Sequence, residues 1–238
     1  MQLSKPLNAM CVNYTTVKRH GLERFNVEPP QKDWVEEIFQ DYVAPIVVLG
    51  EDIQRKALLA SFGMKPKRKY LQGEFKKTTM NTRAERVGVA AEYKGAWREG
   101  RRCLVPMVRY FEPSHESGAA VRWQIAFQGE PEFAAAGIWR SWEEADGTLT
   151  HSFAMFTVNA DAHPLLNRFH RPGEEKRGLV ILRPDDYDDW LRVADPEQAR
   201  FWLALRPADE MTTAPAPMPP RVPKKVPPAA LPQQESLF

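Results

Sequence analysis

Met10 and Cys11 together hold the most reactive combination in the chain. If translation begins at Met10, its removal before a side chain as small as cysteine leaves Cys11 as the first residue, carrying a free α-amine beside a free thiol. An α-amine titrates near ~7.7–8.0 and a lysine amine near ~10.4, so at neutral pH roughly a tenth of the former is the nucleophilic free base, against well under ~0.1% of the latter. Such an amine attacks aldehydes. It would form a Schiff base, and the thiol could then close on the imine carbon to give a five-membered thiazolidine, which resists hydrolysis far better than the imine. Read from Met1 instead, Gln2 is too large for routine methionine removal and Cys11 is an internal thiol of the kind that packs in a first strand.

That chemistry needs a group to orient the amine, an acid and a proton shuttle. Three residues offer themselves. Asn81 can accept from an amine and donate to an oxygen, although at a helix entrance it would equally serve as a cap. Glu112 ends the run Arg109-Tyr-Phe-Glu112, where aromatic neighbours could desolvate it and raise its pKa, or leave it as a solvent-facing carboxylate. His170 lies between Phe169 and Arg171 and could be a general acid or a hydrogen-bonded structural histidine. His163 is seven residues earlier, but no cysteine or third histidine has ligand-like spacing, so no metal site is expected and no cofactor is implied. His20, His115 and His151 sit in polar surroundings and read as surface residues.

The elements that must position these residues follow from the pattern of the 238 residues, 43% hydrophobic and 27% charged, which suit one core and a tail. Two cysteines make no disulfide framework, and no apolar run approaches ~18 residues, so the expected setting is the reducing cytoplasm, near the nucleoid and away from any membrane. The net charge is only +2, but Lys65, Lys67, Arg68, Lys69, Lys76 and Lys77 crowd together before Arg83, and Arg101 and Arg102 follow. Such density suits a polyanion or a solvated loop. Cys11–Tyr14 alternates like a short strand, and 21–30 reads as a loop. Ile46–Leu49 and Ala57–Phe62 read as paired strands around a Gly50-Glu51-Asp52 turn. Met80–Glu85 leads into an expected helix over Val87–Arg98, placing Asn81 where backbone amides favour phosphate. Strands are expected over Arg102–Pro106, Arg109–Glu112, Val121–Phe127, Phe133–Trp139, Ser152–Val158 and Gly178–Leu182. Helices are expected over Pro184–Val193 and Pro196–Leu205. The fold class is therefore α+β: a mixed, mostly antiparallel, barrel-like sheet with peripheral helices.

Read in order, several segments resemble the SRAP family, the SOS-response-associated peptidase-like proteins that shield abasic sites in single-stranded DNA. Met10-Cys11 is similar to the family's initiator and nucleophile. Arg24-Phe-Asn-Val27 with Pro29 resembles its Arg-Tyr/Phe-Asn-Val/Ile-Ala-Pro segment, and Phe62-Gly-Met-Lys-Pro66 its Trp-Gly-Leu-x-Pro. Asn81-Thr-Arg-Ala-Glu85, Arg102-Cys-Leu-Val-Pro106 with Tyr110-Phe-Glu112, Ala136-Gly-Ile-Trp139, Phe156-Thr-Val158 and Arg168-Phe-His-Arg171 with Val180-Ile-Leu182 match further family elements in the same order. The resemblance implies that Cys11 supplies amine and thiol, that Asn81 holds the amine, that Glu112 assists opening of the deoxyribose, and that His170 shuttles protons. It implies that Asn26, Pro29, Phe62, Arg83 and Arg171 contact DNA. Autoproteolytic exposure of the cysteine and an abasic-site lyase side reaction are implied as well. The chain departs from the family at Val12-Asn13, where Gly-Arg is usual, at Glu112-Pro113 in place of Glu-Trp, at Glu85-Arg86 in place of Glu-Thr, and in the longer polar link Arg171–Arg177.

These readings divide the chain into an N-terminal extension (1–10, removed or non-native), a domain (11–205) and a Pro-rich disordered tail (206–238). Nine of the 21 prolines fall in the last 32 residues. The tail ends in Gln234-Glu-Ser-Leu-Phe238, which resembles the pentapeptide that docks bacterial proteins on the replicative sliding clamp, with Gln234, Ser236, Leu237 and Phe238 matching. A monomer acting on abasic single-stranded DNA and tethered to the clamp is the leading expectation. A non-catalytic clamp-tethered DNA-binding module and a cysteine peptidase with an N-terminal nucleophile stand as alternatives.

Overall fold

The computed structural model describes residues 13–218. Met10, Cys11 and the tail residues Gln234, Ser236, Leu237 and Phe238 lie outside the described residues. The chain enters as strand β1 (Asn13–Thr16), passes through a 3-10 helix over Arg19–Phe25, and returns as β2 (Glu37–Phe39). The expected hairpin follows: β3 (Val43–Leu49) and β4 (Arg55–Phe62) run in register from Val43 opposite Ser61 to Leu49 opposite Arg55. Next come β5 (Asn81–Arg83), the short helix α1 (Lys94–Arg98), β6 (Arg102–Ser114), β7 (Val121–Phe127), β8 (Phe133–Glu143) and β9 (Leu149–Asn159). The last elements are β10 (Arg177–Leu179), β11 (Ile181–Leu182), helix α2 (Tyr187–Arg192) and β12 (Met211–Pro215).

Five strands close a barrel. β3 pairs β4, β4 pairs β9 in parallel, β9 pairs β8, β8 pairs β6, and β6 returns to β3 at Val47 opposite Leu104. Closure leaves the ring no free edge to be satisfied by another chain. The sequence makes this possible because Cys103–Met107 is apolar on both faces, as a strand buried from both sides must be. Val105 and Met107 turn into the barrel with Phe62, Phe153 and Met155, whereas Leu104 joins Ile138 and Phe156 in an outer layer covered by Trp97 and Trp190. Gly137 permits the close approach of β8 to β6: a Cβ there would meet Cys103 Sγ at 2.6 Å and Val105 Cγ2 at 2.8 Å.

β6 outruns the barrel. Its second half leaves β3 and β8 and pairs with β1 on one side and β7 on the other. At the junction Thr15 faces Arg109 but Thr16 faces Met107, so Val108 is an extra residue bulged out of the ladder. The bulge shifts the alternation by one, and Tyr110, three residues after Met107, points to the same interior side. Arg102–Pro106 and Arg109–Glu112, expected as two strands, are thus one strand with an irregularity.

Other expectations are corrected. Of Val87–Arg98 only Lys94–Arg98 is α-helical, and Ala84–Arg86 is a 3-10 turn. Gly88, whose backbone pays a large entropic cost in a helix, lies instead where a Cβ would meet the Trp97 ring at 3.6 Å. The segment expected as a helix over Pro196–Leu205 forms a 3-10 helix over Gln198–Trp202. The tail does not start at 206. Arg206 is buried, bonds Glu130 at 2.6 Å and Glu210 at 2.5 Å, and anchors β12 along β7 from Met211 opposite Phe127 to Pro215 opposite Trp123. Composition marked this stretch as coreless, but the edge of β7 needed a partner, and Pro215 at the strand's end costs it little.

Candidate active site

Glu112 and His170 meet at the far end of β6. The bulge that turns Tyr110 inward does the same for Glu112, two residues on, and only 3% of Glu112 is exposed. His170 is brought there by backbone pairing: Phe169 bridges Ser114, and the His170 N–H donates to Pro113 O at 2.8 Å. To face the barrel from this bridge His170 adopts φ 63°, a left-handed conformation that costs a non-glycine residue on the order of 1 kcal/mol or more. Its Nε2 lies 3.0 Å from Arg177 O and 3.6 Å from Glu112 Oε2. A carbonyl can only accept, so Nε2 carries a proton and donates to Arg177 O.

Glu112 Oε2 has no hydrogen-bond donor among the described residues. Burial pushes its carboxyl well above the usual carboxylate range, which favours the protonated acid. Trp123 stands opposite Glu112 on β7, packs against Phe169 with ring centroids 6.4 Å apart, and carries the Arg168 guanidinium 4.7 Å from its ring centre. Arg168 is in turn held by Glu116 at 2.5 Å. Arg177 is also buried, with ion pairs to Glu85 and Glu175 at 2.7 Å and a hydrogen bond to Thr157 O at 2.7 Å. It fixes the carbonyl that fixes the histidine.

Asn81 is not at a helix entrance. It opens β5, which runs parallel to β9 with Asn81 opposite Met155, and its carbonyl accepts from Tyr93 Oη at 3.1 Å. The strand ladder supplies its backbone partners in place of helical ones, and its side-chain oxygen is buried rather than open to solvent. Arg83, two residues on, pairs with Glu175 at 2.8 Å. Arg171 is exposed beside His170 and makes no ion pair among the described residues. Asn26, with φ 56°, ends the first 3-10 helix and lines an open groove with Pro29, Arg55 and Lys56.

Phe62 cannot stack on a base in this arrangement. It is fully buried inside the barrel, stacked on Phe153 at 5.2 Å and edge-on to Tyr14 at 5.4 Å. The basic stretch is also less cationic than its composition indicates: Lys65 pairs with Glu74, Lys67 with Asp41, Arg68 and Lys69 with Glu144, Lys77 with Glu92, and Arg101 with Glu99. Arg102 is buried. His163 accepts from the Leu165 and Leu166 amides and bonds Arg206 O at 3.0 Å, a loop-bracing role. His151 is half-buried between Trp139 and Ser141 rather than on the surface. Among the described residues no group of three or more His, Cys, Asp or Glu could hold a metal ion.

Sequence reasoning missed a network at the root of β1. Asn13 Nδ2 donates to Glu37 Oε1 at 2.6 Å, and Arg122, lying on the Phe111 ring, reaches the same carboxylate. These residues come from β1, β2 and β7, and cross-strand neighbours leave no mark in local sequence. Only their strand registers could have joined them.

A sequence model of the SOS response associated peptidase (SRAP) family matches residues 5–224. A crystal structure of a protein from Bordetella bronchiseptica superposes with a TM-score of 0.80 at 27% identity, covering 87% of this chain and 100% of that one. A protein from Bacteroides thetaiotaomicron gives a TM-score of 0.70 at 20% identity, covering 86% and 91%. A phage-related protein from Bordetella bronchiseptica gives 0.64 at 16% identity, covering 87% and 94%. These last two share the fold. No curated protein matches the chain.

Proposed function

The chain belongs to the SOS response associated peptidase (SRAP) family, and from that premise we propose that it is a sensor that captures abasic sites in single-stranded DNA covalently through Cys11. The observation that supports this most is the buried carboxyl of Glu112, without a donor among the described residues, beside His170 at the end of β6. β1 starts next to it: Asn13 faces Phe111, the neighbour of Glu112. Cys11 is two residues before Asn13, and two residues reach at most ~7 Å. Removal of residues 1–10 would then present an α-amine to the acid.

An abasic deoxyribose opens to an aldehyde at C1′. The Cys11 amine attacks that carbon, the carbinolamine oxygen takes a proton from the Glu112 carboxyl and leaves as water, and an imine remains. The thiol then adds to the imine carbon while its proton passes to the nitrogen. One C–N and one C–S bond form, and the aldehyde C=O is lost with one water. His170 Nδ1 moves protons between steps, and Asn81 holds the amine. Arg83, Arg171, Asn26 and Pro29 hold the strand around the lesion, as cations and polar groups do along a phosphate backbone. An imine that fails to cyclise permits β-elimination, which gives the abasic-site lyase side reaction. The peptidase activity is self-processing, hydrolysis of the bond before Cys11. The C-terminal pentapeptide holds the domain at the replicative sliding clamp and raises its local concentration at replicating DNA.

The test is to mix the mature protein with a single-stranded oligonucleotide carrying one abasic site and to separate the products under denaturing conditions. A covalent adduct that is abolished by Cys11→Ala is expected. An adduct of undiminished yield in that variant defeats the assignment.

A further inference from the structure

The barrel has a second mouth, at the other end of β6 from Glu112. Arg102 at that end faces Ile138, and Glu112 lies ten residues further along the strand (112 − 102), or about 33 Å at 3.3 Å per residue. Two adjoining grooves at this mouth share Arg101 and Glu99, one bordered by Trp139 and the other by Arg140. Arg101 lies 5.4 Å from the centre of the Trp139 ring, and His151 packs edge-on to the same ring at 5.5 Å. Arg140 lies 3.9 Å from the centre of Trp142, which Lys69 also approaches at 5.6 Å. Trp139, Arg140 and Trp142 are all half-buried, neither packed away nor free.

Glu92 and Glu99 line the same groove as the arginines; Glu92 pairs with Lys77, and Glu99 also acts on Arg140. Arg101 has Glu99 at 2.6 Å, but Arg140 makes no ion pair among the described residues. Both Lys56 and Arg101 press on His151, adding to its burial in lowering its pKa. Lys56 in turn lines the groove that holds Asn26 and Pro29, so cationic side chains lead from that loop toward this rim. Cations held together beside half-buried indole rings repel one another, and an anionic ligand relieves that repulsion. Arginine on tryptophan is the pairing that single-stranded nucleic acid exploits, since each base has a face to stack and each linkage a charge to meet. An acidic peptide would leave the rings unmatched.

We propose that this rim is a second contact for single-stranded nucleic acid, in which phosphates meet Arg101 and Arg140 and bases stack beside Trp139 and Trp142. The proposal rests on the reading that the protein acts on DNA, and it extends the strand path from the reactive mouth around the barrel. A tetranucleotide, about 14 Å long at 3.4 Å per nucleotide, cannot touch both ends, whereas a 24-mer can.

The test measures noncovalent binding of undamaged oligothymidine 4-mers and 24-mers by the full chain over a range of salt, for the wild type, Arg140→Glu and the charge-matched control Arg109→Glu. Arg140→Glu is expected to weaken the 24-mer about tenfold, to lower the slope of log affinity against log salt by about 1, and to shrink the preference for the longer strand. Arg109→Glu is expected to stay within about twofold of the wild type on the 24-mer. Equal weakening by both variants, or a 24-mer affinity in Arg140→Glu within twofold of the wild type, overturns the proposal. So does loss of polyglutamate binding in Arg140→Glu with DNA binding retained, which would make the rim a peptide site. Covalent capture of an abasic 24-mer by the wild type, scored separately, tells failure of this rim from failure of the functional reading.

Discussion

The two ends of β6 each bury an ionisable residue, and they treat it in opposite ways. At one end Arg102 donates from Nε to Trp190 O at 2.9 Å and from Nη2 to Val193 O, with its guanidinium 5.9 Å from the Trp190 ring centre. It staples α2 to the barrel. At the other end Glu112 has a histidine at 3.6 Å and no donor among the described residues, and burial raises its pKa. A buried cation that donates to two carbonyls at the end of a helix holds a fold together. A carboxyl buried without a donor is driven toward its neutral form instead, and a neutral carboxyl can give up a proton.

Substitutions at the two positions should separate accordingly. Arg102→Met leaves the carbonyls of Trp190 and Val193 without donors inside the protein and should cost about 3–5 kcal/mol of stability, measured by denaturant unfolding. If the cost is below about 1 kcal/mol, Arg102 is no staple and the contrast fails. Glu112→Gln keeps the shape and removes the acid, so it should slow adduct formation by roughly 100-fold while leaving the fold intact. A rate within a factor of three of the wild type would place the acid elsewhere.

The smallest effect is the sharpest. Because the folded value of Glu112 lies above its unfolded value, the folded protein keeps a proton that the unfolded chain releases, and stability declines as pH rises past the unfolded carboxylate value. Glu112→Gln removes that penalty. Its melting temperature relative to the wild type should be higher at pH 8 than near pH 3, where Glu112 is protonated in both states of the wild type. An equal difference at the two pH values would mean that Glu112 is ionised in the fold.

Much of the site was legible in the residues. Glu112 and His170 were named from their types and neighbours, and the β3–β4 hairpin and β7 from alternation. Asn81 was misplaced because Gly88 and the alanines beyond it resemble a helix while β9 offered a parallel edge that no local pattern records. The resemblance puts Phe62 against DNA, but a residue at a strand's end can face either way, and here the barrel interior takes it. The start of the tail was misjudged because Arg206 finds its carboxylates 76 residues away and four residues on, and only the first of these needs the fold.

The order of residue types alone fixed the family resemblance, the strand that can be buried on both faces, and an acid and a base capable of handling protons. It could not fix which way the acid points. In simple alternation Glu112 shares a face with Leu104 and Val108, which pack toward the outer layer. One extra residue at the bulge, imposed by pairing with β1, turns it inward, and burial on that side is what raises its pKa.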